Sequence, residues 1–207
     1  MSSIFMLRAK ELADPFIQTK NWIASDFSPP SPSFVKRRIL AREGIAEGAW
    51  IETGTYLGGT TKALARISPE VISIEPSEWL HGHASRRLSK HKNITLLNGT
   101  SEDKLDTAIT AIKSKKLNLW LDGHYSAGAT YQGKNETPIM RELEVVAKHL
   151  PRFQNVAIFI DDIRCFTPGK YRDSNYPLLG VLPAWCEQNQ ATWKIEHDIF
   201  IARHEPA

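Results

Sequence analysis

Cysteine is scarce in this chain: Cys165 and Cys186 are its two copies, and they make neither a metal-type pair nor a disulfide framework. A reducing, cytoplasmic setting is therefore expected. No window reaches the roughly 18 apolar residues of a membrane helix. Met1 to Ala13 holds scattered apolar residues without the continuous run of a secretory leader, so no membrane partner is expected. An excess of one charge is missing too, since 26 Lys and Arg against 23 Asp and Glu leave +3, which does not by itself argue for nucleic acid. No internal repeat is visible. What is present is 42% apolar residues over 207 positions, enough for one substantial core and too little for a second independent domain.

The most informative stretch is Trp50-Ile51-Glu52-Thr53-Gly54-Thr55-Tyr56-Leu57-Gly58-Gly59-Thr60-Thr61, an apolar run that ends in an acid, a glycine-rich turn and the start of a helix. Glycine at 54 and 58 lets a ligand lie against the backbone between strand end and helix start, where free amides face it. Val71 to Glu75 is a short β-rich run ending in a carboxylate, and Glu75 stands 21 residues beyond Gly54. That distance suits a contact to ribose hydroxyls in a doubly wound nucleoside fold. Tyr56 occupies the place of the second glycine in a dinucleotide fingerprint and would crowd a pyrophosphate, which argues against a nicotinamide enzyme. A nucleoside without phosphates, such as S-adenosyl-L-methionine, fits better.

The rest of the chain alternates. Residues 1–32 read as an extended arm: Ile4 to Leu12 could form a short helix limited by Pro15, and 27–33 is too rich in breakers for a helix. Ser33 as N-cap opens an amphipathic helix over 34–43 that Gly44 ends. Val35, Ile39 and Leu40 lie on one side of it, with Lys36, Arg37, Arg38 and Arg42 as a solvated face. Beyond the glycine turn come a strand at 71–75, a helix from about 77 to 90, a strand at 94–97, a helix over 101–113 and a strand at 117–121. After a long loop, Thr137 as N-cap and Pro138 at the first helical position start a helix with Ile139, Leu143, Val146 and Leu150 on its buried face. A strand at 156–160, a helix at 181–188 and two runs that can pair as a hairpin, 192–196 and 199–202, complete the chain. The class is α/β, a doubly wound, mostly parallel sheet with helices on both faces and a terminal antiparallel hairpin.

The segment Glu52-Thr-Gly-Thr-Tyr-Leu-Gly-Gly-Thr-Thr resembles motif I of class I S-adenosylmethionine-dependent methyltransferases, in the variant of the macrocin O-methyltransferase and cephalosporin hydroxylase-like group. The resemblance covers about 47–203 and implies a seven-stranded Rossmann-like sheet of order 3-2-1-4-5-7-6. It divides the chain into an arm with its helix, 1–46, and a methyltransferase-like catalytic domain, 47–207. It further implies that Glu52, Gly54, Thr55, Tyr56, Gly58 and Glu75 hold the cofactor, with Asp122 and the adenine-side residues Thr100 and Ser101. A turn followed by Ser101 as N-cap explains that last segment equally well.

In that strand order the acids at the ends of strands 4 and 5, Asp122 and the pair Asp161-Asp162, come close together. Three converging carboxylates repel one another unless a cation sits among them or a proton is retained, and oxygen ligands of this kind suit magnesium. The resemblance assigns Asp122, Asp161 and Asp162 as ligands of such an ion. Ion-bound hydroxyls ionise more readily, and His124 stands near Asp122 as the group to accept the proton, making His124 and Asp122 the catalytic candidates. The departure is the loop Asp-Gly-His-Tyr-Ser-Ala-Gly-Ala-Thr, which is not the macrocin enzymes' own sequence. The absence of an Asn/Asp-Pro-Pro-aromatic motif after strand 4 points to oxygen over nitrogen as acceptor. The expected activity is methylation of a hydroxyl on a small molecule or saccharide, with a metal-free methyltransferase, a hydroxylase-like relative or a non-catalytic nucleoside-binding module as alternatives. The loops 125–136 and 163–176 are available as a lid, and the arm before Ser33 is available to pack on a second copy of the chain as a homo-oligomer.

Overall fold

The computed structural model describes residues 15–123, 137–167 and 176–206. In chain order the elements are α1 (Pro15–Ala24), α2 (Ser33–Glu43), β1 (Ala49–Thr53), α3 (Gly59–Leu64), β2 (Val71–Glu75), α4 (Glu78–Leu88), β3 (Ile94–Asn98), α5 (Ser101–Ala111), β4 (Lys116–Leu121), α6 (Ile139–His149), β5 (Asn155–Ile160), α7 (Val181–Gln188), β6 (Ala191–Glu196) and β7 (Ile199–His204). The strands form one sheet in the order β3-β2-β1-β4-β5-β7-β6. Strands β1 to β5 pair in parallel, while β7 runs antiparallel to both β5 and β6. The expected doubly wound sheet with its terminal hairpin is what the chain builds.

The central strands are apolar throughout because both of their faces are covered. Alternation along each strand then divides the side chains between two layers. Ile51, Leu119 and Ile158 join the buried faces of α5, α6 and α7, whereas Trp50, Trp120 and Phe159 join Ile39 and Leu40 of α2. Trp50 and Phe159 stack with ring centroids 5.4 Å apart. At the sheet edges the pattern relaxes, with exposed positions along β3 and β6.

Several element boundaries differ from the sequence expectation. Pro15 begins a helix, α1, where a limit to an earlier helix was expected, since proline's missing N–H costs nothing in a first turn. None of α1 is buried. Ser33 is already helical, and the Pro32 carbonyl caps α2 by accepting from Val35 and Lys36 N–H. Thr100, not Ser101, caps α5, its hydroxyl accepting from Asp103 N–H at 3.3 Å. Helix α6 starts one residue later than expected, at Ile139. Of the tryptophans, Trp120 is buried in the sheet and Trp79 is half exposed.

Helix α2 is fastened to the far edge of the sheet through Glu43. Its carboxylate accepts from Arg42, from Lys194 of β6 at 2.9 Å and from Arg203 of β7 at 3.1 Å, while Arg42 also pairs with Glu196. These cations hold the Glu43 carboxyl down to about 2 against a partial burial that opposes them. The helix thus belongs mechanically to the sheet. It contributes core residues on one side and, as shown below, Lys36 to the cluster at the strand ends.

Candidate functional site

The register brings the carboxyl ends of β1, β4 and β5 together and then continues one residue past each strand. Thr53 pairs with Leu121 and Leu121 with Ile160. Asp122 N–H donates to the Thr53 carbonyl at 3.2 Å, and Asp161 N–H to the Leu121 carbonyl at 3.1 Å. The acids that follow these strands are therefore adjacent by construction of the ladder.

At the glycine turn, β1 and β2 are tied by a buried polar set. Glu52, 1% exposed, accepts from Thr61 at 2.5 Å and Ser73 at 2.6 Å, and Ser73 also meets the Thr55 hydroxyl. Burial pushes the Glu52 carboxyl up to about 8, against the pull of those two hydroxyls. Glu52 and Thr55 are buried, and their hydrogen bonds help to frame the turn. The glycines also answer to the chain itself. A Cβ at Gly54, where φ is +87°, would stand 2.5 Å from the Asp122 carbonyl oxygen, and one at Gly58, with φ +77°, would stand 2.7 Å from Leu88. Glycine at these positions also accommodates the close approach of Asp122, just past β4, and of Leu88 at the end of α4.

Glu75 is set differently. Tyr56 N–H donates to one of its oxygens at 2.7 Å and Ser77 N–H to the other at 2.9 Å, so both oxygens are oriented and each keeps a lone pair to receive a hydroxyl. Burial raises its carboxyl despite those amides.

Asp122, Asp161 and Asp162 converge, with one oxygen of each lying within 4.8 Å of the others. A cation of the chain is already among them. Lys36 Nζ lies 2.5 Å from Asp161 and 3.1 Å from Asp162, a correction to the solvated role expected of Lys36. Burial lowers this ammonium's affinity for its proton, but the charges of Asp161, Asp162 and Asp122 more than reverse that and hold it above its ordinary range. Arg164 pairs with Asp162 at 2.6 Å and with the buried Asp198. Four carboxyl groups thus meet two cations, and Asp161 is driven up by its burial and by Asp122 beside it. The three-oxygen donor set fits a hard divalent ion, provided that Lys36 swings aside.

Thr100 and Ser101 stand at the start of α5, beyond β3. His124, the expected base, and the loop 125–136 lie outside the described residues, as do 168–175 of the second loop; its beginning, Ile163–Phe166, is a 3-10 turn. Sequence reasoning missed Lys36, Asp198 and Glu142. The last carried a signal, because an acid between Ile139 and Leu143 falls on the apolar stripe of α6, where a solvated residue has no place.

No family model matches the sequence, and no curated protein sequence matches it. Solved structures do. A candidate rRNA-methylase from Clostridium thermocellum matches with a TM-score of 0.59 at 9% identity, over 86% of this chain and 98% of that one. A candidate caffeoyl-CoA O-methyltransferase from Staphylococcus aureus matches at 0.57 and 12% identity, over 99% and 98%. A candidate methyltransferase from Streptococcus mutans in complex with SAH matches at 0.50 and 17%, over 86% and 98%. At these identities the likeness is one of fold, and the fold is the Rossmann-like one of methyltransferases. No helix among the described residues is long and apolar enough to cross a membrane.

Proposed function

We propose that the protein is an S-adenosyl-L-methionine-dependent methyltransferase of the macrocin O-methyltransferase-like kind, acting on a hydroxyl of a small molecule or saccharide. The observation that carries this reading is Glu75. Its two oxygens are oriented by the Tyr56 and Ser77 amides at the end of β2, beside the glycine turn, which is the arrangement a ribose diol needs. Thr100 and Ser101, which follow the end of β3 that pairs with Glu75, are the residues proposed for the adenine side. The shared fold, with one structural neighbour in complex with SAH, supports the same cofactor here.

Asp122, Asp161 and Asp162 would hold a divalent cation such as magnesium, which when bound makes an acceptor hydroxyl easier to ionise. The protein's own part is to bring cofactor and acceptor into line and to receive a proton, for which His124 is the proposed base. A metal-free methyltransferase has one observation in its favour: Lys36 already supplies positive charge at the carboxylates.

Thermal unfolding with S-adenosylhomocysteine, with and without magnesium or chelator, tests both readings. Ligand at about 100 times its dissociation constant adds roughly 2.7 kcal/mol, a shift of several degrees. Glu75→Ala should abolish that shift. Absence of any shift in the native protein refutes the cofactor assignment, and chelator-insensitive turnover refutes the metal.

A further inference from the structure

The outer side of α4 carries a run of planar and basic groups that the site described above does not use. Trp79, His83, Arg86 and Lys90 follow one another at intervals of four, three and four residues, the repeat of a single helix face. Leu80, Ala84 and Leu88 take the buried face, which leaves Trp79 half exposed and Arg86 and Lys90 in solvent. The Trp79 and His83 rings stack with centroids 5.9 Å apart and planes 19° from parallel, and Arg86 Nη2 lies 3.4 Å from His83 Nδ1. Just past the helix, Asn93 donates to the Ala65 and Ser68 carbonyls at 2.8 and 2.9 Å. That tie joins the loop holding Lys90 and Lys92 to the end of α3, where Arg66 is exposed.

The modest net charge conceals this face. Residues 54–98 hold six of the 26 Lys and Arg and three of the 23 Asp and Glu, so the remainder of the chain balances at 20 of each. One of those three acids, Glu75, is buried, and no acid occurs between Glu78 and Glu102. Elsewhere the cations are matched: Lys36, Lys148, Lys194 and Arg203 each reach a carboxylate. Arg66, Lys90 and Lys92 have no acidic partner among the described residues. A helix face that is merely solvated alternates its signs, whereas Arg86 and Lys90, four residues apart, repel each other. An anion laid along the face relieves that repulsion.

We propose that this face of α4, with the two loops joined to it, docks a single-stranded nucleic acid. Arg66, Arg86, Lys90 and Lys92 pair with phosphates, and Trp79, backed by His83, offers a base a platform to stack on. The charge calls for a polyanion, and an exposed ring in line with the cations selects one that carries flat bases. The stripe begins four residues after Glu75, so a strand docked on it passes beside the candidate cofactor site. The assignment rests on the helix face alone and stands without the methyltransferase reading.

The test is fluorescence anisotropy of a labelled oligouridylate of about 12 nucleotides, titrated with the full chain between about 50 and 200 mM salt, with inorganic polyphosphate of equal charge as the comparison. The oligonucleotide should bind more tightly than the polyphosphate and quench tryptophan emission. The double variant Arg86→Ala with Lys90→Ala should weaken binding and flatten the dependence of log affinity on log salt by about 1.4. Trp79→Ala should weaken the oligonucleotide about fivefold or more, abolish the quenching and leave polyphosphate binding and the salt slope as they were. All of these side chains are on the surface, so both variants should melt with the native chain. No binding at about 50 mM salt, binding that the double variant leaves intact, or polyphosphate held as tightly as the oligonucleotide overturns the proposal. So does a Trp79→Ala variant that loses S-adenosylhomocysteine and keeps the oligonucleotide, because the ring would then serve the cofactor. Failure of the native chain to bind S-adenosylhomocysteine, with strand binding intact, counts against the methyltransferase reading and spares the docking face.

Discussion

Replacing Lys36 by methionine keeps the aliphatic stem and removes the one ammonium that bridges Asp161 and Asp162. The Lys36 side chain is 15% exposed and its partners 3% and 7%, so solvent screens these contacts weakly. At an effective dielectric near 20, each contact is worth about 5 to 7 kcal/mol before desolvation. The measured cost of leaving such carboxylates unpaired is smaller, about 3 to 5 kcal/mol. For a chain of this size that lowers the melting temperature by roughly 6 to 20 °C. Differential scanning calorimetry reads it directly. If the carboxylates can also hold a divalent ion, magnesium should recover more of the loss in Lys36→Met than it adds to the native protein, because lysine and ion compete for the same oxygens. A variant that melts within about 2 °C of the native chain would show the ion pair to be energetically idle and the reasoning wrong.

Two further predictions concern the frame around the site. Glu52 has its folded carboxyl raised from 4.5 to about 8, so its contribution to stability is complete below 4.5 and lost as pH rises to about 8, flat beyond that. Glu52→Gln should remove that decline, worth on the order of several kcal/mol; denaturation curves that run parallel for both proteins across the window would refute it. Gly54→Ala combines a left-handed φ with a Cβ 2.5 Å from the Asp122 carbonyl, and should cost roughly 2 to 4 kcal/mol in urea unfolding. A loss below about 0.5 kcal/mol would mean the backbone yields there.

Local patterns were legible wherever a short stretch of chain decides its own conformation. The bounds of α7, the end of α2 at Gly44 and the acids that close β1, β2, β4 and β5 were all readable, because periodicity and breakers act within a few residues. Lys36 was not. On α2 it has the pattern of a solvated lysine, and its partners lie 125 and 126 residues away, brought near only when α2 docks on the sheet. The convergence of Asp122, Asp161 and Asp162 was foreseen from strand order, yet the register that sets their spacing appears only in the folded ladder. Glycine carried a second demand that the sequence did not show. Gly54 was read as room for a ligand, and the atom nearest its absent side chain is the carbonyl oxygen of Asp122, just past β4.

The clasp that Glu43 makes with Lys194 and Arg203 bears on where this chain can be cut or joined to another. A fragment opening at residue 47 would keep the whole sheet and lose Lys36 from its acidic cluster, together with the cover over Trp50. A fusion partner attached ahead of Pro32 leaves both intact. A cut within α2 would therefore reach the strand ends beside the glycine turn as well as the far edge of the sheet.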